Sequence, residues 1–467
     1  MSVLYSITNY FCRNITNLLK DSLLFTIIFK IIGFVEDQWV NSFFKGLYPS
    51  ENFLSFLKKS RILNEEIFSP IIVLVVFSLF LILAINPVSK DLQLTVIIAF
   101  VSFFIGAIIL PHYFLNNSKN NLKENNSKED NLKENYKELI NSKENNPKEN
   151  NPKENNNSLI LFKSRDIYSI GFCLTLIGIL FLFLSIASVG GLPILKSSLR
   201  YSLKPAFTMP VFLVIPGIGL IACEYLNQFR ENKITRSQAR FRFLVLTGIG
   251  IFTVLTLQYR TPIIAILLMM IIIGYYGNIL SVWEVIIGAL IGVAAIIGIG
   301  YMRSLNELTI SSNTNPFSTL QNRADFTLNV LNLLNQISGN FGILHGKMIA
   351  GAMPGSPLGP RMMVGKLIAW RSEVTVTPTL LGQMLVDFGK VGVAFEMGLL
   401  GFILGIGYKL IKITGDSFYI GLYSILLTYS IVGVETGILD IQVLFYFFIV
   451  FFIYLTIIFK DKGIKIY

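Results

Sequence analysis

Apolar runs of close to 20 residues recur along the chain, separated by short polar turns. A run of roughly 20 apolar residues spans a hydrocarbon core of about 30 Å. The pattern predicts an all-α polytopic membrane protein of about ten transmembrane helices, at about 68–86, 92–111, 167–189, 209–227, 242–258, 261–277, 281–300, 391–409, 417–434 and 441–459. Two segments break the rhythm. Residues 112–166 carry almost no apolar residue over 116–157, and residues 301–390 lie between two strongly apolar runs yet cannot sit wholly in lipid. Connections beyond about 12–15 residues usually carry function, so 301–390 is expected to be the working part and the apolar runs its mounting.

The chain then divides into an N-terminal segment 1–67, spans one and two (68–111), an insert (112–166), spans three to seven (167–300), the large loop 301–390, and spans eight to ten with a short tail (391–467). In the first unit the most apolar piece, 23–35, is short, holds Lys30 and has no small-residue cleavage site after it. It reads as an interfacial helix on the cytoplasmic face rather than a signal peptide. The insert repeats an Asn-x-Lys-Glu-Asn pentad, with 16 Asn, eight Lys and eight acids over 116–157, which cannot bury a core. It is expected to be a disordered loop. In span seven, Gly288 and Gly292 have the small-xxx-small spacing that lets helices approach closely.

Charge sets the orientation. Residues 229–242 hold five Arg or Lys and one acid, which places them in the cytoplasm by the positive-inside rule. Alternation puts both termini and 112–166 on the same side, and 301–390 outside. The net charge of +11 follows from that asymmetry, and no basic, aromatic-interleaved module for nucleic acid is present. Cys12, Cys173 and Cys223 lack metal-ligand spacing and read as small packing residues. No HExxH, DxD, CxxC, Walker A or GxSxG pattern occurs, so neither a metal site nor a nucleotide cofactor is expected.

The outward segments are more basic than orientation rules predict. Residues 190–205 carry Lys196, Arg200 and Lys204 without an acid, a tight turn carries Arg260, and the large loop carries Arg303, Arg323, Arg361 and Arg371. Arginine binds phosphate oxygens bidentately and stays charged at any biological pH, so anion recognition is the natural reading. The competing reading is that each arginine snorkels or pairs locally, as Arg323 could with Asp325. Inside the loop, Ser318 and Gln321 suggest a capping box for a surface helix with Phe326, Val330, Leu333 and Ile337 as its apolar stripe. Residues 353–363, rich in Pro and Gly, are expected to be rigid and non-helical and to present Arg361. His345, Glu373 and Asp387 are the candidates for proton transfer or ligand binding.

The chain resembles the oligosaccharide repeat-unit polymerases, the Wzy-type O-antigen polymerases and their archaeal relatives. The likeness rests on GGLPIL followed by Arg200, on YRTP with Arg260, on the large loop before the last three spans, and on TPTLLGQMLVDFGKVGVAFEMGLLG. Arg371 and Gly382 also fit an Arg-x10-Gly spacing of such loops. The resemblance implies a GT-C-like helical membrane glycosyltransferase that needs no metal or cofactor. It would join polyprenyl-pyrophosphate-linked oligosaccharides at the outer face of the cell membrane, among membrane lipids and alongside a flippase and a chain-length regulator. By position, Arg200, Arg260 and Arg371 would hold the diphosphates, with Arg303, Arg323 and Arg361 beside them. Two other readings stay open. A ligase, or another enzyme using a lipid-linked sugar, would need the same arginines; a transporter or flippase would need charges inside the spans, where Glu224, Glu284 and Glu396 come nearest.

Overall fold

The computed structural model describes residues 10, 12, 13, 16, 30–37, 67–85, 88–113, 164–307, 316–353, 355–369 and 375–461. Residues 23–29, the insert over 114–163, Arg371 and Glu373 lie outside them, and of Arg303 only its place in a helix is described. Every described regular element is helical: α1 (Ile72–Leu83), α2 (Lys90–Phe104, continued by a π-helical stretch), α3 (Ser164–Val189), α4 (Val214–Arg230), α5 (Arg236–Leu255), α6 (Arg260–Tyr276), α7 (Val282–Glu307), α8 (Pro316–Ser338), α9 (Lys347–Gly351), α10 (Pro360–Ala369), α11 (Thr379–Thr414), α12 (Ser417–Thr436) and α13 (Ile441–Asp461). Helical stretches at Lys90–Tyr113, Asp166–Val189, Pro205–Arg230, Arg236–Leu255, Thr379–Thr414 and Ser417–Thr436 are long and apolar enough to cross a membrane. Shorter apolar helices occupy Ile72–Leu83, Arg260–Tyr276, Val282–Ala294 and Ile441–Thr456. The chain is a multi-pass membrane protein.

Hydrogen bonds sort the connections into two ends. At one end the basic loop between α4 and α5 is held down: Arg236 and Arg240 donate to the Ile279 carbonyl at 2.9 and 3.1 Å, and Arg240 pairs with Glu284 at 2.9 Å. At the other end, which we call the loop end, α8 docks on the α1–α2 turn. Asp325 accepts from the Ile85 N–H at 2.8 Å, Ser89 donates to Asn332, and Asn335 donates to Asp91. Lys390 completes the set by pairing with the same Asp91.

α8 starts at Pro316, so the Ser318–Gln321 pair lies within its first turns rather than capping it. Its buried face carries Ala324, Leu328, Val330, Leu331 and Leu334; of the expected stripe Val330 is buried, whereas Phe326 is 54%, Leu333 45% and Ile337 45% exposed. The reason is the docking surface. α8 turns its leucines onto α11 and its asparagines onto the α2 cap, so polar residues that looked solvent-facing are the ones that fix its position.

Close helix approach also occurs elsewhere than expected. Gly288 does pack closely, since a Cβ there would lie 2.9 Å from the Ile271 side chain of α6, whereas one on Gly292 would meet nothing within 4 Å, with Leu290, Ile291 and Val293 exposed around it. The backbones that touch are α2 and α11: a Cβ on Gly401 would lie 2.4 Å from the Phe103 carbonyl oxygen. Small residues allow this in lipid, where packing rather than hydrophobicity drives helix association.

The return from the large loop is not a simple entry into span eight at 391. α11 is two helices joined at Gly389, whose φ of 63° and ψ of −153° fall in a region essentially open to glycine alone. The first piece, 379–388, is buried almost throughout and folds back on the second. A Cβ on Gly392 would sit 2.8 Å from the Met384 carbonyl oxygen, although residues eight apart in a straight helix are about 12 Å apart. Such a break frees carbonyls that water would satisfy at a surface but that need protein partners here. The N–H groups of Ile343 and Leu344 reach the Val386 carbonyl at 2.8 and 3.1 Å, and that of His345 reaches the Asp387 carbonyl at 2.9 Å.

Candidate active site at the loop end of the bundle

At and just before the turn between α12 and α13, residues 437–440, two of the candidate arginines, Arg323 and Arg361, find their partners. The turn's backbone is set by Gly437 at φ 78°, where a Cβ would also strike the Gln383 side chain at 2.6 Å. Gln383 is fully buried in the half-helix, and its Oε1 accepts from the Leu439 N–H at 2.9 Å. Next in the chain, Asp440 pairs with Arg361 from the first turn of α10. Just ahead of the turn, Glu435 pairs with Arg323 of α8 at 2.6 Å. Arg323 thus takes a partner over 100 residues away, while Asp325, its neighbour in sequence, holds the α1–α2 turn instead.

Beyond the turn, Gln442 donates to the hydroxyls of Tyr429 and Tyr446 at 3.1 and 3.2 Å. Tyr446 in turn donates to the Phe212 carbonyl at 3.1 Å, and the Phe212 ring meets Tyr259 edge-on, centroids 5.6 Å apart. The Arg200 guanidinium lies 5.2 Å from the centre of the Tyr259 ring, a cation–π placement. Burial raises the Tyr259 phenol above its ordinary value, with the Arg200 cation pulling it back, so the ring keeps its proton and serves as a neutral platform. Arg260 is the next residue and opens α6. Two segments some 60 residues apart in sequence therefore meet, and a continuous series of contacts links Arg200 to Asp440 and Arg361.

Of the other candidates, His345 is exposed, with a left-handed φ of 48° in the turn that crosses the α11 break. Asp387 is fully buried, and its carboxylate accepts the N–H groups of Met348 and Ile349 at 2.9 and 3.1 Å, capping α9. Arg361 is on a helix, α10, where the Pro- and Gly-rich composition of 353–363 predicts none past Pro360. Gly382 of the Arg-x10-Gly spacing packs under Leu334 and Pro378, which explains a small residue there by helix contact. Inside the bundle, Glu284 is paired, Glu224 accepts from Gln228 at 3.2 Å, and Glu396 is buried in α11 with neither oxygen hydrogen-bonded.

Sequence reasoning missed Gln383, Glu435, Asp440 and Gln442. Each is a polar residue in or beside an apolar run, and the available signal was a lone Asp in the short turn ILDIQ between two spans. Among the described residues no group of three or more His, Cys, Asp or Glu is placed to hold a metal ion.

These features define a helical membrane protein with two arginines of its large loop, Arg323 and Arg361, ion-paired at a single turn. A family model described as "Putative O-antigen polymerase" matches residues 66–447, and the chain belongs to that family, which gives it a polymerase role in polysaccharide biosynthesis. It is also similar to the uncharacterized protein MJ0419 of Methanocaldococcus jannaschii, with 27% identity over 283 residues, 60% of this chain and 74% of that one. No solved structure matches the chain.

Proposed function

We propose that the protein polymerises polyprenyl-pyrophosphate-linked oligosaccharide repeats at the outer face of the membrane, with ten crossings, a GT-C-like architecture and the loop end outside. The observation that supports this best is the pairing of Arg323 and Arg361 with Glu435 and Asp440 at the end bearing the large loop, with Arg200 against Tyr259, the residue before Arg260. The guanidinium groups of Arg200, Arg260 and Arg323 would stabilise the pyrophosphate as it leaves, without rearranging during the reaction. The basic loop 229–242 at the opposite end fits a cytoplasmic face there. Arg371, Glu373 and Arg303 belong to the same loop and are assigned to the donor and its departure by sequence position, and His345 to proton transfer.

Membranes carrying the full chain, supplied with the host's lipid-linked repeat units, should produce a ladder of glycan lengths on a gel. Arg260→Ala should slow ladder formation by about 100-fold or more, the scale of losing one group that stabilises transition-state charge, and Arg260→Lys should restore part of it. An unchanged ladder in the alanine variant would remove Arg260 from the site. Transfer of one preassembled glycan to a different acceptor, without lengthening, would favour a ligase. Lipid-linked units retained on the cytoplasmic side would favour a flippase.

A further inference from the structure

Joining two repeats requires the acceptor sugar's hydroxyl to lose a proton, and the arginines that hold the donor cannot take it. The side chains of five carboxylates at the loop end are described. Asp387 is committed to the α9 amides, Asp325 to the α1–α2 turn, and Asp91 to Asn335 and Lys390. Glu435 and Asp440 each face an arginine, and of these two arginines Arg361, the partner of Asp440, keeps a buried Nε without an acceptor. The Gln383 amide nitrogen and the Arg361 Nε are both buried without a hydrogen-bond acceptor, although each residue's other polar group is engaged on residues 439 and 440. Buried donors left unpaired are uncommon and costly, and two of them on side chains bonded to the successive residues 439 and 440 point to oxygen atoms of a ligand. A sugar carries several hydroxyl oxygens that can accept from such donors.

On the polymerase reading, we infer that residues 437–442 form the acceptor-sugar subsite, in which Asp440 takes the proton of the attacking hydroxyl while Gln383 and Arg361 hold the sugar ring. The hydroxyl oxygen forms its bond to the anomeric carbon of the growing glycan, the bond from that carbon to pyrophosphate breaks, and polyprenyl pyrophosphate leaves with the electron pair. The proton stays on the Asp440 carboxyl until it passes to water. The charged and titratable groups facing Asp440 are Arg361 and Tyr429. Its side chain is 36% exposed yet crowded by protein, and that crowding raises its carboxyl above the usual range despite Arg361. A base of that kind is better matched to neutral solution than an ordinary aspartate. Gln383 is a positioning residue, fixed through the Leu439 amide.

The test uses the full chain in membranes with the host's lipid-linked repeat units, and polyprenyl pyrophosphate as the binding probe. Asp440→Asn should lose 100-fold or more of the ladder rate, the scale of general-base catalysis, yet bind the probe within about threefold of wild type. Asp440→Glu should polymerise more slowly, with the acid limb of its pH–rate profile displaced. An asparagine variant within tenfold of wild type, or a glutamate variant whose acid limb superimposes on it, would overturn the assignment. If Asp440→Asn does not fold, the glutamate variant's acid limb decides alone. A wild-type protein that binds the probe but builds no ladder would overturn the polymerase reading, and this subsite with it. A working wild-type ladder with an active asparagine variant would overturn the subsite only.

Discussion

Gly389→Ala is expected to leave little folded protein. The break in α11 needs a φ of 63° with ψ near −153°, where any side chain is strained by about 1–3 kcal/mol. The added Cβ would also lie 2.3 Å from the carbonyl carbon and oxygen of Asn340, which is backbone and cannot swing aside as a side-chain tip does. Relieving that contact would pull residues 340–345 off the half-helix and release the N–H groups of Ile343, Leu344 and His345 from their carbonyls, at roughly 1 kcal/mol each. The sum approaches the 5–15 kcal/mol by which a whole domain is held together. Purified in detergent, the variant should aggregate or melt far below wild type. A melting temperature within a degree or two of wild type would show that the break is not built as described.

Asp387→Ala is the second large effect, and it separates structure from substrate binding. The carboxylate is fully buried and satisfies two backbone donors at the start of α9. Removing it leaves both unpaired, at about 3 kcal/mol or more for hydrogen bonds to a charged acceptor. Asp387→Asn keeps one oxygen in place and should lose clearly less. Both variants should show their loss in thermal melting, and at temperatures where they stay folded they should bind polyprenyl pyrophosphate as wild type does. If melting were unchanged and binding fell, Asp387 would belong to the ligand after all.

The spans were legible because lipid imposes a length and a composition that any window of sequence reveals. The arginines were legible for a related reason: cations at the end opposite the basic loop 229–242 contradict the expected asymmetry and stand out. Their partners were not. Nothing near Arg323 in sequence suggests Glu435, and nothing near Arg361 suggests Asp440, because both pairs depend on how α8 and α10 fold back across the bundle. The half-helix was hidden differently. TLLGQMLVDFGKVGVAFEM reads as one apolar stretch, and only the backbone at Gly389 shows that it turns back on itself. The stripe on α8 was misjudged because periodicity reports which residues share a face, while the docking partner decides which face is buried.

The large loop is fastened in two unlike ways. Residues 340–345 are tied to α11 by backbone hydrogen bonds in the interior, while Arg323 and Arg361 are tied by ion pairs whose members are between 28% and 46% exposed. Dissolved salt hardly weakens the first kind and readily weakens the second, because screening acts on charges that water reaches. The ionic strength of the surroundings therefore weakens the hold of α8 and α10 on the 435–440 turn selectively, while the backbone fastening at 340–345 stays.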